Sequence, residues 1–444
     1  MVSRARGVRD FPPEAMRRRM VLENLLESKA SAHGFNRVQT PIFETLDLFT
    51  AKSGPGVISQ LYAFKDKGER DLTLRPELTA PVMRMIADEL RMETKPLRLS
   101  YFGQCFRYEE FKTGRYREFF QYGVELIGAT GPLAEAEVIA LSMDMIDACG
   151  LENWYVKIGH VGVLKDILTG LGLSDELLEG QSEPATATAM RFLDKADWDG
   201  LSDFFSKNQI SKDSLDLLIK LAELEGGKET LSSAREILSK LGIESTNALD
   251  ELESCVNYVE LLSPAIPELQ INLCVARGLD YYTGMVFEVH VPALGGEGQV
   301  LGGGSYKLLH LFGLPDLDPS CGFGLGFDRI MLALEAQAEA SGRAEVVPGE
   351  LARPSLLAVV PFNVDPSSVL SMVAELRNAG QRVELELKGR KIGKAFSWAD
   401  GIGADYVVII GPKDLESGQA SVKRLSDGEQ FSVSLDSKSI LEIL

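Results

Sequence analysis

The chain has 444 residues, 45% of them hydrophobic and 25% charged, with a formal net charge of −19. These values describe a globular chain of about three domains, and no stretch approaches the roughly 20 apolar residues of a membrane span. The opening "MVSRARGVRDFPPE" lacks the apolar core of a secretory leader, so a cytoplasmic location is expected. Five scattered cysteines (Cys105, Cys149, Cys255, Cys274, Cys321) show no CxxC spacing, and the four histidines are equally dispersed. Neither a disulfide framework nor a metal site built from protein side chains is indicated.

In chain order, residues 14–34 predict a helix, with Leu22, Leu25, Leu26 and Ala30 on one face and Gly34 as its stop. "FNRVQTPIFE" predicts a strand ending near Pro41. "DLTLRPE", "PLRLSYFGQCFRYE" and "YREFFQYGVELIG" predict further strands, with a helical stretch at 79–91 between the first two. Another helix is expected at 132–149. Residues 165–260 carry 20 acidic and 9 basic residues, so −11 of the net charge sits there. Their apolar residues fall at helical spacing, which predicts an inserted helical subdomain. Strands resume at 270–291 and 298–306. "SCGFGLGFDRIMLALEA" predicts a glycine-rich strand running into a helix. The last 90 residues or so alternate β-α-β-α-β, the pattern of a small domain with a mostly parallel core. Within it, "QRVELELKGRKIGK" (381–394) holds five basic and two acidic residues, so basic spots survive in an acidic chain. The domain boundaries expected from this reading are 1–164, 165–262, 263–340, a linker at 341–353, and 354–444.

Alternation along 115–125 places Arg115, Arg117, Phe119, Gln121 and Glu125 on one face of a strand, and Tyr116, Phe120, Tyr122 and Val124 on the other. The second face is a core face. The first mixes cations, an aromatic ring, an amide and a carboxylate, as a solvated outer face also would. Joined through a Lys/Thr/Gly loop, "FRYEE" would put Arg107 and Glu109 on the partner strand of a hairpin. Several arginines on one sheet face suit a polyanion, because guanidinium forks match phosphoryl oxygens in pairs. There is no GxxxxGK[ST] and no GxGxxG, so neither a P-loop nor a Rossmann site is indicated. In "CGFGLGFDRIM" the glycines would let a flat ligand approach, with Arg329 at the strand-to-helix turn. Taken alone, that segment reads more simply as a tight core strand. Glu77 of "DLTLRPELTAPV" opens a helical stretch, where a carboxylate is either a cap or an amine ligand.

Together these segments resemble the class II aminoacyl-tRNA synthetases, and among them the histidyl-tRNA synthetases. "FNRVQTPIFE" resembles motif 1, with Pro41 at the dimer interface. "FRYEEFKTGRYREFFQYGVE" resembles motif 2 and "GFGLGFDRIMLAL" motif 3. "RGLDYYTG" resembles the signature peculiar to histidine enzymes. The terminal domain resembles the class II anticodon-binding domain. The resemblance implies an α+β catalytic domain on a mixed, mostly antiparallel sheet, with a helical insertion and a C-terminal α/β domain. It implies a homodimer that activates histidine with ATP, Mg2+ accompanying the nucleotide, and then charges tRNA(His). Arg107, Arg277 and Arg329 would surround the phosphates, with Glu109, Arg115 and Phe119 completing the ATP site. Glu77, Thr79 and Gln121 would hold the ammonium group of histidine. Glu125, Tyr281, Tyr282 and Tyr306 would enclose its side chain. Where the family usually has Gly-Gly-Arg-Tyr-Asp, this chain reads "LGGGSYKLL", with Ser305 and Lys307 replacing Arg and Asp behind the histidine pocket. Two other readings compete. One is a non-catalytic histidine-sensing regulatory subunit of ATP phosphoribosyltransferase, which would need neither all the phosphate arginines nor an anticodon domain. The other is a binding module derived from the same fold.

Overall fold

Leu22, Leu26 and Ala30 recur every fourth residue along the helix Pro13–Ala32, and all three are buried. The two prolines before Glu14 suit a helix start, and Gly34 at φ +79° turns the chain out of it. This helix and Pro132–Ala148 cover one face of a large sheet. Tyr122, Val124 and Leu126 of that sheet pack with them, each with 1% exposure or less. A leucine buried this completely contributes roughly 1.5–3 kcal/mol. The computed structural model describes residues 2–53, 55–108, 116–177, 183–194, 197–243, 247–263, 269–273 and 282–444. These residues divide into two compact units, Met1–Glu350 and Leu351–Leu444.

Among the described residues, the sheet of the first unit has nine strands. From one edge they run Asn36–Arg37, Leu97–Phe106, Glu118–Ile127, Ser320–Gly326, Gln299–Tyr306, Tyr282–His290, Tyr155–His160, Leu269–Asn272 and Glu225–Gly226. The Asn36–Arg37 edge and the Tyr155–His160 to Leu269–Asn272 contact are parallel, and every other pairing is antiparallel. The sheet is therefore mixed and mostly antiparallel. Pairing of Phe106 with Glu118 and of Leu97 with Ile127 fixes the register of the expected hairpin. The strand expected to end near Pro41 is short, Asn36–Arg37, and beyond the proline Phe43–Thr45 joins a separate three-stranded sheet with Tyr62–Lys65 and Asp71–Leu74. Pro41 lacks the N–H a continuous ladder requires. Buried Arg75 ties this turn down, donating to the carbonyls of Thr40 and Pro41 at 2.7 and 3.0 Å and to that of Gln104 at 2.8 Å.

Between the strands Tyr155–His160 and Leu269–Asn272 the described chain is mostly helical, from Val161–Gly170 to Asn247–Leu262. Its helices bury Leu201, Leu218, Leu221, Ala234 and Leu252 toward one another. The helix expected at 79–91 runs as Thr79–Met85 and continues in a wider turn over Ile86–Leu90. After the helix Phe327–Ser341, Val347 and Glu350 are buried, and Glu350 accepts from Val346 N–H at 2.9 Å.

The second unit holds a five-stranded sheet ordered Arg382–Leu385, Leu356–Pro361, Tyr406–Ile410, Gln419–Arg424, Gln430–Ser434. The first three strands are parallel and the last two antiparallel. Asp365 accepts Ser367 N–H at 2.8 Å where the helix Ser367–Asn378 begins. Buried Glu386 accepts the N–H groups of Lys388 and Arg390 at 2.8 and 3.1 Å, shaping the basic turn that follows.

Candidate active site

The face of Glu118–Ile127 turned away from the core helices opens on a cavity of about 460 Å³. Phe119, Gln121 and Glu125 line it, as alternation requires, together with Glu77, Thr79, Arg107, Tyr282, Tyr306 and Arg329. The nine residues come from six separate segments of the chain. Glu109, Arg115, Arg277 and Tyr281 lie outside the described residues.

Glu125 is the chemical centre of one end. Its carboxylate is 1% exposed, accepts the Tyr101 hydroxyl at 2.9 Å, and accepts the Tyr306 hydroxyl on its other oxygen. Burial pushes its pKa up from 4.5 to about 7, although both phenols, as donors, pull it down. Burial likewise raises the Tyr101 and Tyr282 phenols, which therefore stay protonated and able to donate. The Thr79 hydroxyl lies 3.3 Å from the Tyr101 oxygen. Tyr101 was not singled out in the sequence. The signal for it is Gly123, its cross-strand partner: a Cβ there would come within 2.4 Å of the tyrosine ring. Gly322, opposite Glu125, makes similar room, since a Cβ would sit 2.1 Å from Glu125 Oε2 and 2.3 Å from the Val124 carbonyl. Glycine in a strand is there for close approach.

Glu77 accepts Thr79 N–H at 2.6 Å and Ala80 N–H at 3.2 Å. Its carboxylate is thus fixed at a helix start while it faces the cavity, so cap and ligand roles coexist. Gln121 is held by the Cys105 thiol, which donates to its Oε1 at 3.3 Å. Burial pushes that thiol up to about 12, so it remains a neutral donor. At the other end, Arg107 donates to the Pro76 carbonyl at 3.0 Å, and its guanidinium carbon lies 5.1 Å from the Phe119 ring centre. Arg329, one turn into its helix, donates to the Gln299 carbonyl at 2.6 Å. Two guanidinium groups and an aromatic face therefore share the cavity with a buried carboxylate flanked by phenols. Asp328, also on the wall, was not read from the sequence.

Ser305 and Tyr306 are neighbours on one strand and face opposite ways. Tyr306 reaches Glu125, whereas Ser305 donates to Glu135 of the helix Pro132–Ala148, behind the sheet. Lys307 is exposed. Among the described residues, no three His, Cys, Asp or Glu side chains come together as a metal site, and no helix is long and apolar enough to cross a membrane.

A family profile described as Histidyl-tRNA synthetase matches residues 7–330, and one described as Anticodon binding domain matches 357–439. The chain belongs to the histidyl-tRNA synthetases. A histidine–tRNA ligase of Archaeoglobus fulgidus is 40% identical over 432 residues, covering 97% of each chain. Among solved structures, the histidyl-tRNA synthetase of Nostoc sp. PCC 7120 superposes with a TM-score of 0.77 at 24% identity, over 100% of this chain and 99% of that one. A Bacillus halodurans protein described as an ATP phosphoribosyltransferase regulatory subunit/histidyl-tRNA synthetase gives 0.74 at 26% identity, over 93% and 98%. A synthetase and a protein described partly as a regulatory subunit thus share this fold. The family profiles and the full-length ligase relative favour the synthetase.

Proposed function

We propose that the cavity is where histidine and ATP react, with the buried end for the imidazole and the arginine end for the nucleotide. The chain is an ATP-dependent histidine–tRNA ligase. A carboxylate oxygen of histidine attacks the α-phosphorus of ATP, the bond to pyrophosphate breaks, and histidyl-adenylate forms. The histidyl group then passes to the 3′ end of tRNA(His). Fixed cations stabilise the charge that develops on the phosphoryl oxygens. Arg107 is assigned to the α-phosphate and the substrate carboxylate, Arg329 to the γ-phosphate and adenine, and Phe119 to the opposite face of the adenine. Arg277, Glu109 and Arg115 keep the phosphate and adenine roles that the family resemblance gives them. Mg2+ enters with ATP as the counter-ion of its phosphates.

The observation that carries the reading is Glu125, a buried carboxylate held by two phenols on the wall of a cavity that also contains two arginines. Ionised Glu125 accepts one imidazole N–H, and the Tyr282 hydroxyl donates to the unprotonated nitrogen. A site that satisfies both nitrogens rejects amino acids lacking them, because its own buried groups would be left unpaired. Glu77, Thr79 and Gln121 offer oxygens to the ammonium group, Tyr306 lines the pocket, and Tyr281 keeps the pocket role that the family resemblance gives it. The second unit, with Lys388, Arg390, Lys391 and Lys394 around its basic turn, is assigned to the anticodon. The helical segment 165–262 is assigned as an insertion whose acidity restricts any tRNA contact to a local one. Exposed Ile42 and Phe43, next to Pro41, and exposed Phe64 on the same three-stranded sheet support a homodimer formed through motif 1. The site of action is the cytoplasm.

Histidine-dependent exchange of pyrophosphate into ATP by the purified protein tests the reading. Exchange that depends on histidine and is lost in Arg107→Ala is expected. Histidine binding without any exchange would favour the sensor.

A further inference from the structure

"VRDFPPEAMRRR" precedes every segment assigned to catalysis, yet it reaches the cavity wall. Arg9 Nη2 lies 2.7 Å from Asp328 Oδ1, and Arg19 Nη1 lies 2.7 Å from the same oxygen. The other Asp328 oxygen accepts the backbone N–H of Phe120 at 2.7 Å. Asp328 is 3% exposed, and Arg19 is buried among the rings of Phe11, Phe120 and Phe327 at 4.0, 4.5 and 4.8 Å. Arg19, the more buried of the two cations, suffices as a counter-charge for the carboxylate. Arg9 is a second cation on one oxygen, in excess of what neutralisation requires. Its guanidinium reaches a ring that Arg19 does not: its carbon lies 3.4 Å from the centre of the Tyr116 ring, well within cation–π range. Tyr116 and Asp328 both line the cavity, next to Phe119, Phe120 and Arg329. The backbone reinforces the link, since Arg117 donates to the Gly7 carbonyl at 2.9 Å and Arg107 donates to the Arg117 carbonyl at 3.0 Å. Gly7, at φ +84°, brings its Cα so close to Arg117 that a Cβ would meet that side chain at 2.8 Å.

We propose that Arg9 is a positioning residue for the nucleotide end of the cavity. Its guanidinium bridges Tyr116, just before the returning strand of motif 2, to Asp328, at the start of the motif 3 helix. The two segments that face ATP are thereby held at a fixed spacing. The inference rests on the reading that this end of the cavity takes the nucleotide. A planar guanidinium stacks and pairs at once, whereas a lysine ammonium pairs without stacking flat.

The test is steady-state pyrophosphate exchange on the full chain with Arg9→Lys, Arg9→Ala, Tyr116→Leu, Arg9→Ala/Tyr116→Leu and Arg329→Ala. Arg9→Lys keeps a cation on Asp328, so it is expected to keep its melting temperature while KM for ATP rises roughly 3- to 30-fold, the loss of one partly buried cation–π contact. KM for histidine stays within about twofold, because the pocket around Glu125 touches neither residue. The double variant costs little more than Tyr116→Leu alone, since Arg9 acts through that ring. Unchanged KM for ATP in Arg9→Lys overturns the proposal. So do additive effects in the double variant, or a parallel rise of both KM values with a lower melting temperature, which would mark a purely structural residue. Wild-type exchange kinetics in Arg329→Ala would overturn the nucleotide reading and the clamp with it. Failure of the Arg9 variants alone leaves the nucleotide reading standing.

Discussion

Replacing Glu125 by glutamine separates what the buried carboxyl does for binding from what it costs the fold. The carboxyl has a folded pKa of about 7 against 4.5, mainly because burial penalises its charge. A folded pKa above the unfolded one means that the folded state holds the extra proton between those values. Stability of the empty protein therefore falls as pH rises from about 4.5 to about 7, and then levels off. At 1.36 kcal/mol per unit, the loss is on the order of 3 kcal/mol. Glutamine does not titrate and keeps an oxygen for one of the two phenols. Glu125→Gln should therefore be more stable than the parent at pH 8 and about equal to it at pH 4.5, as read from the thermal midpoint without histidine. Binding moves the other way. A hydrogen bond to a charged acceptor contributes about 1.5–3 kcal/mol, so KM for histidine in pyrophosphate exchange should rise roughly 10- to 150-fold. KM for ATP should barely change. In the parent, histidine affinity should increase as pH rises toward about 7, because the pocket must lose its proton before it accepts an imidazole N–H. A variant whose midpoint follows pH as the parent's does, or whose KM for histidine is unchanged, would refute the assignment.

Gly322→Ala puts a methyl carbon 2.1 Å from Glu125 Oε2 and 2.3 Å from the Val124 carbonyl, so the strand must shift. Histidine activation should fall by at least about 100-fold, measured by exchange at saturating ATP, and a near-normal rate would show that the carboxylate is not held there for substrate. Ser305→Ala removes a donor from buried Glu135 and should cost about 1–3 kcal/mol in denaturant unfolding. It should leave KM for histidine within about twofold, and a larger change would contradict the separation of the two sheet faces. Deleting residues 354–444 should preserve exchange and depress tRNA charging. Undiminished charging would remove the second unit from tRNA recognition.

The period-2 pattern of Glu118–Ile127 was legible because its core face is nearly pure apolar and aromatic, which leaves the cavity face as the remainder. Phe119, Gln121 and Glu125 are found from that pattern, whereas Tyr116 and Phe120, which it places on the core face, also line the cavity. Tyr101 is not found from sequence, since nothing in "LRLSYFGQ" sets it apart from a core tyrosine. It becomes visible only when register places Gly123 opposite, and register is a property of two strands. Asp328 and Arg9 are about 320 positions apart in the numbering, and no local pattern joins them. The break near Pro41 in "FNRVQTPIFE" was legible from the missing N–H of the proline, but not that the residues beyond it join a different sheet. The terminal pair Gln419–Arg424 and Gln430–Ser434 does alternate, with Ala420, Val422, Phe431 and Val433 turned inward, but each run holds only two apolar residues and so does not read as a strand by itself.

The departure at 305–307 shows how parity decides what a substitution means. Residues 305 and 306 are adjacent in sequence and separated by the thickness of the sheet. Tyr306 carries its hydroxyl to the Glu125 carboxylate, while Ser305 carries its own to Glu135, which also accepts Met285 N–H at 3.4 Å. An arginine at 305 would meet Glu135 with a full positive charge. With serine there, burial wins and the Glu135 pKa is raised. The serine thus alters the electrostatics of the helix-covered face and leaves the end proposed for the imidazole to Glu125, Tyr101 and Tyr306. Lys307, beyond the strand end, is exposed and does not line the cavity. A pattern that departs from its family at two of five positions is compatible with an intact histidine pocket, because the retained tyrosine is the one residue of the three that faces it.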